Sequence, residues 1–403
     1  MIFNRSDTVS YDGKISGNGN LTKTGGGTLT LTNTNSYLGT TTVTGGTLGI
    51  GGDGNIGNGT RTLVGGILQL TGATYEKGWT LGTGTNAIGT SGSANMKGVL
   101  SGTGSLTKTD GGTLTLSGAN IYTGDTTITG GTLEVTGTLG GGNYARNIVN
   151  WDTLVFNQSA NQTLSGVISE SGGSKGLTKN GTGTLTLSGV NTYTGDTIIN
   201  EGTLELAASG SLLSPVMVAN NPAGATFALR GSVTGNVNLA GNNSALNAYQ
   251  GGSITGDLTT NGGALNFYLP PAISTSSLPL VEVQNATLTG SPVNLYLDGG
   301  NDLSALSETE SIKLLHAGGT LTADSSYSDL TLKSGVSLID TSRVFSIAAT
   351  SQDLTATLKS TYVPPPPPPP PPSSTRPPSS ATRSTQQATA RGCKASACST
   401  TST

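Results

Sequence analysis

Leucine and threonine alternate in short runs along this chain, and the runs return at a near-constant distance. Thr113-Leu114-Thr115-Leu116 reappears as Thr132-Leu133-Glu134-Val135, a step of 19 from Leu114 to Leu133. Leu29 to Leu48 and Leu185 to Leu204 are also steps of 19. The spacing continues elsewhere: Leu48 to Leu68 is 20 and Leu133 to Leu154 is 21. Phe227, Leu246 and Leu265 follow at 19 and 19, and Val233 and Ile254 stand 21 apart. Alternation of period two predicts strands with one buried face. A register kept near 20 over many steps predicts that strands of successive coils pair in parallel, each leucine stacked on its equivalent one coil away. An antiparallel sandwich would alternate as well, but would not hold that register. No long stretch carries apolar residues at helical spacing. About 270 residues at roughly 20 per coil make roughly 13 coils, a stack on the order of 60 Å long at ordinary strand spacing.

Three long copies carry the pattern most clearly. They contain LTKTGGGTLTLTNTNSYLGTTTVTGGTLGI, LTKTDGGTLTLSGANIYTGDTTITGGTLEV and LTKNGTGTLTLSGVNTYTGDTIINEGTLEL, within residues 13–50, 98–135 and 166–206. Composition agrees with many short strands and tight corners. Of 403 residues only 10% are charged, the net charge is -3, and 62 are glycine. An average globular chain has about 25% charged residues. Threonine favours strands, and glycine and asparagine favour turns. The first of the 17 prolines is Pro215, as a ladder of backbone N–H donors requires. Cys393 and Cys398 are the only cysteines, so the preceding 392 residues fold without disulfides. That suits an intracellular enzyme and equally a chain that crosses an oxidising compartment unfolded. No stretch is apolar enough to span a membrane as a helix. The start, Met1-Ile2-Phe3-Asn4-Arg5-Ser6, lacks the apolar core of an export signal.

The three copies resemble the autotransporter-associated β-strand repeat of bacterial type V secretion passengers. The resemblance implies an all-β fold, a right-handed parallel β-helix exported through an outer-membrane β-barrel translocator. On this reading residues 1–279 are the β-helical passenger. Residues 280–360, where the step is lost, are similar to the pertactin-like C-terminal passenger region, an autochaperone-type β cap. An open solenoid end exposes unpaired strand groups, so a cap is expected on physical grounds too. Residues 361–403 read as a Pro-rich linker and a disordered tail, standing where the family's membrane barrel would follow. Pro364 to Pro372 form a spacer about 28 Å long in the polyproline II conformation. Ser373 to Thr403 contain four basic residues and no acidic one, against 15 basic and 22 acidic residues before them. With no export signal and no barrel, the tail is read as a shifted reading frame at the proline run.

Candidate chemistry is sparse. The single histidine, His316, has no G-x-S-x-G elbow with it and reads as a strand-end surface residue. Asp125 and Asp196 occupy matching places, where the first copy has Thr40, and read as turn formers rather than a glycosidase pair. Gly51-Gly52-Asp53-Gly54-Asn55 reads as a Gly-rich corner rather than a calcium loop, and Gly82-Thr83-Gly84 lacks the helix of a dinucleotide site. Cys393 and Cys398 read as tail residues without a metal or redox role. Tyr37, Tyr122 and Tyr193 recur in the copies and either pack at a coil corner or stack on carbohydrate. Catalytic, cofactor and metal residues are therefore expected to be none.

The expected function is that of a non-catalytic passenger fragment. It forms an adhesive surface stalk whose repeats aid secretion and folding outside the cell. Its expected setting is the outer membrane or exterior of a Gram-negative bacterium. The expected partners are the translocator barrel and host-cell or carbohydrate ligands. The chain is expected to be monomeric, and low charge without basic patches excludes nucleic acid. Two alternatives remain open: a β-helical lyase or hydrolase of polysaccharides, and a non-functional product of a disrupted gene.

Overall fold

The computed structural model describes residues 1–270, 279–297, 311–324, 330–331, 333–334 and 344–359. The proline run, the tail and both cysteines lie outside these residues. Among them every regular element is a strand or a short 3-10 turn, and the strands stack as a parallel β-solenoid of about 13 turns.

The registers follow the leucine spacing. Leu114 pairs with Leu133, Leu133 with Leu154, and Leu154 with Leu177, so the column anticipated from sequence exists. Leu29, Leu48 and Leu68 form another, and Phe227, Leu246 and Leu265 a third. Leu185 opposes Leu204 and Val233 opposes Ile254. All these side chains are buried, at no more than 1% exposure. Each such burial contributes roughly 1.5–3 kcal/mol, and only a neighbouring coil makes it possible.

A full coil has three sides. On the first, strands run from Ile2–Asn4 to Leu100–Gly102, and a nine-stranded sheet takes over from Asn143–Tyr144. The second runs from Val9–Tyr11 to Ile168–Glu170. The third begins at Thr74–Tyr75, because the earliest coils close that side with irregular chain. The three repeats sit differently on this frame. The opening strands of the first copy, Leu21–Thr24 and Thr28–Leu31, lie on sides one and two. Those of the second, Ser105–Thr109 and Thr113–Leu116, lie on sides two and three. Those of the third, Leu177–Asn180 and Thr184–Leu187, lie on sides three and one. Each copy is thus turned by one side relative to the one before, and the same corner sequence serves all three corners.

Past residue 279 the regular step is lost but parallel pairing is not. Val281–Thr289 pairs in parallel with Gly252–Asn261, and Val293–Leu297 with Ala264–Leu269, at steps of 29 and 28. Antiparallel pairing enters beyond: Ser311–Ala317 with Asp353–Lys359, and that strand with Val344–Ala349.

Candidate functional site: a buried polar frame

Inside the repeats, alternation places polar residues where leucine would be expected. Lys23 follows Leu21 by two, so it points inward, as do Lys108 and Lys179 in the other copies. All three are at most 1% exposed. Each ammonium is held by three backbone carbonyls. Lys23 Nζ donates to Thr24 O at 2.9 Å, Gly25 O at 2.8 Å and Gly45 O at 3.1 Å. Lys108 Nζ donates to Thr109 O, Asp110 O and Gly130 O at 2.5, 2.8 and 2.9 Å. Lys179 Nζ donates to Asn180 O, Gly181 O and Glu201 O at 2.8, 2.6 and 3.1 Å. Two carbonyls come from the lysine's own corner and the third from the next coil, always 22 residues on.

Left-handed backbone turns those carbonyls inward. Gly25, Asp110 and Gly181 have φ of 67°, 61° and 71°, and Gly46, Gly131 and Gly202 in the next coil have 59°, 66° and 69°. A Cβ at Gly46 would lie 2.6 Å from Lys23 Nζ, so glycine is required there twice over. Burial lowers the pKa of all three lysines, that of Lys179 to about 8. The carbonyl fork replaces the water each ammonium has lost.

Twelve residues after each lysine stands a buried asparagine whose side chain ties its coil to the preceding one. Asn35, Asn120 and Asn191 accept from the backbone N–H of Ile15, Leu100 and Ile168 in the preceding coil, at 2.7, 2.9 and 2.9 Å. Their Nδ2 atoms donate within their own coil to Asn33 O, Gly118 O and Gly189 O. Asn35 and Asn191 also donate forward to Asn55 O and Ser211 O. Two residues further come Tyr37, Tyr122 and Tyr193, each hydrogen-bonded through Oη to the threonine four residues on, at 2.6, 2.7 and 2.7 Å. These tyrosines are at most 1% exposed, so they pack at the corner and present no ring face to a carbohydrate. Burial pushes the phenols of Tyr122 and Tyr193 up to about 12.

The other candidates divide. Asp125 Oδ1 accepts from Asn147 N in the next coil, while the matching Thr40 donates its N–H to Asn20. Asp196 instead lines a cavity of about 270 Å³ with Asp152 and Lys175, and Asp125 is not part of it. Asp53 sits in a short 3-10 turn and accepts from the N–H groups of Glu76 and Lys77. Gly82 and Gly84 give their carbonyls to the amide of Asn86. His316 Nδ1 lies 2.7 Å from Asp353 Oδ1, joining two antiparallel strands. Burial opposes the Asp353 charge, but hydrogen bonds from His316 and Lys313 hold its pKa below the usual carboxylate range. Among the described residues no group of three or more His, Cys, Asp or Glu side chains is placed to hold a metal ion. The lysines and asparagines escape a sequence search for chemistry because their types suggest surface. The usable signal is parity with the neighbouring leucine and an identical 12-2-4 spacing in three copies.

The buried polar frame thus recurs in each of the three copies. The family comparison agrees: residues 21–50, 106–135 and 177–206 match the passenger-associated transport repeat. Over 202 residues the chain is 39% identical to the adhesin BmaC autotransporter of Brucella suis biovar 1 (strain 1330). That match takes in 49% of this chain and 6% of the adhesin, so the chain spans a small part of its relative. Three stretches of the chain thus carry passenger-associated transport repeats, and about half of it is similar to a small part of an autotransporter adhesin.

Proposed function

We propose that this chain is a non-catalytic segment of a surface adhesin, a rigid spacer that carries adhesive outer columns away from the cell. The observation that carries the reading is the direction of the repeated residues. Lysine, asparagine and tyrosine recur at fixed spacing, and all are consumed inside the coil. What the repeats hold constant is therefore folding geometry, inside through these residues and on the outer face through strand-forming threonines such as Thr28, Thr113 and Thr184. Low charge and the absence of cysteine before Cys393 suit export of an unfolded chain through a barrel belonging to the parent protein. In this proposal the antiparallel strands at 311–359 cover the last coils and seed their folding. The parent protein is placed at the outer membrane or cell exterior, and its ligands belong to a host or carbohydrate surface.

The test is to display residues 1–360 on a non-adherent Gram-negative strain, with an export signal and a barrel supplied. Adhesion to epithelial cells or immobilised glycans above the barrel-only control is expected. Surface display without any gain in adhesion overturns the adhesive role. Release of reducing ends from polyuronates by the purified chain, abolished by D152N or D196N, would instead make the Asp152–Lys175–Asp196 cavity an active site.

A further inference from the structure

Near-identical coils create a problem of register. The inward sequence of one coil resembles that of the next, so a coil could skip its neighbour and stack on the one beyond with little loss of apolar contact. Each buried lysine lies in a column that is otherwise apolar on its near sides: Phe3–Lys23–Val43, Ile88–Lys108–Ile128 and Phe156–Lys179–Ile199. We infer that Lys23, Lys108 and Lys179 are register keys, one at each corner of the coil, which make stacking on the wrong coil unfavourable.

Lys108 gives the argument its clearest form. Its third carbonyl, Gly130 O, is delivered by a corner whose next residue, Gly131, is left-handed at φ 66°. One coil further on, the Lys108 column continues to Asn150, and the corner after it is Trp151-Asp152. Neither residue of that corner has positive φ, so the inward carbonyl is not repeated there. A slipped coil would take that carbonyl from the ammonium and set the ammonium beside the Asn150 amide, whose Nδ2 already donates to Gly176 O and whose Oδ1 already accepts from Asp152 N. An incompletely paired buried charge is costly. The principle is that of the lone polar residue fixing register in a coiled coil. The inference concerns stacking alone and does not depend on export or adhesion.

Disulfide trapping tests it in the full chain, with Cys393 and Cys398 replaced by serine. Thr115 and Glu134 are register partners, so T115C with E134C is expected to close. Thr115 and Val155 are two strands apart, about 9.6 Å at ordinary spacing, beyond disulfide reach. T115C with V155C should therefore close only when the coil between is skipped. With Lys108 present, refolding should yield almost none of that second disulfide. With K108M it is expected to rise by roughly tenfold or more, and with K108R to stay low. Should K108M fail to fold, the same pair is read in K108Q, whose shorter side chain carries no charge to be left unpaired. An unchanged yield in the K108M or K108Q background overturns the inference, as does abundant closure with Lys108 intact.

Discussion

In the repeats, the charged and amide groups that tie coil to coil are inside; between residues 225 and 297 the amide and aromatic ladders are outside. The later coils bury mainly apolar columns, such as Leu229, Ala248, Phe267 and Leu295, with Ser244 and the Thr260–Ser291 hydroxyl pair as buried polar residues among them. Their outward positions carry ladders instead. Asn266 donates to Asn247, and Asn294 to Asn266, both at 2.8 Å. Tyr249, Tyr268 and Tyr296 stack with centroids 4.5 and 4.8 Å apart and interplanar angles of 17° and 13°. The Arg230 guanidinium lies 3.5 Å from the Tyr249 ring centroid and is anchored by Glu205 at 3.1 Å. Both devices use the strand spacing, but their cost of error differs. An outward amide or phenol that misses its partner finds water, whereas an inward ammonium or amide does not. The repeats therefore discriminate between registers, and the ladders add stability while tolerating change.

The largest expected effect breaks the interior shared by both regions. Leu133→Asp puts an unpaired charge in the leucine column and should remove about 4 kcal/mol or more, read as a collapse of the urea midpoint. A midpoint like that of the wild type would contradict the stacked column. Next, Asn120→Ala leaves the Leu100 N–H without its acceptor and should cost about 1–3 kcal/mol by chemical denaturation. The outward counterpart is milder: Tyr268→Ala should cost about 1 kcal/mol, and Asn266→Ala about 0.2–1 kcal/mol. Should Asn266→Ala cost more than Asn120→Ala, the ranking of interior over exterior falls.

The repeats also carry a pH dependence. Lys179 titrates near pH 8 when folded and at about 10.5 when unfolded, so between these values the unfolded chain holds more protons. Stability should rise across that interval. Tyr122 and Tyr193 titrate near 12 when folded and at about 10 when unfolded, so stability should fall above pH 10. The denaturation midpoint is thus expected to peak near pH 10, and K179M should flatten the rising limb. A midpoint that does not change from pH 8 to 10 in the unmodified chain would argue against buried, charged lysines.

Period and alternation determined the solenoid. A step near 20 with inward leucines has one economical solution, so the pairings of Leu114, Leu133 and Leu154 were legible without coordinates. The recurring tyrosines were legible as candidate corner residues for the same reason. The tertiary structure alone decided what fills the corners. Whether Lys108 faces carbonyls or solvent depends on where Gly130 arrives 22 residues later, and so on the whole coil between them. It also decided that the three copies occupy three different corners, since their spacing of 85 and 71 residues gains meaning only once coil length is set by packing. Backbone carbonyls have no sequence signature, and a site built from them becomes visible only when the chain has closed around it.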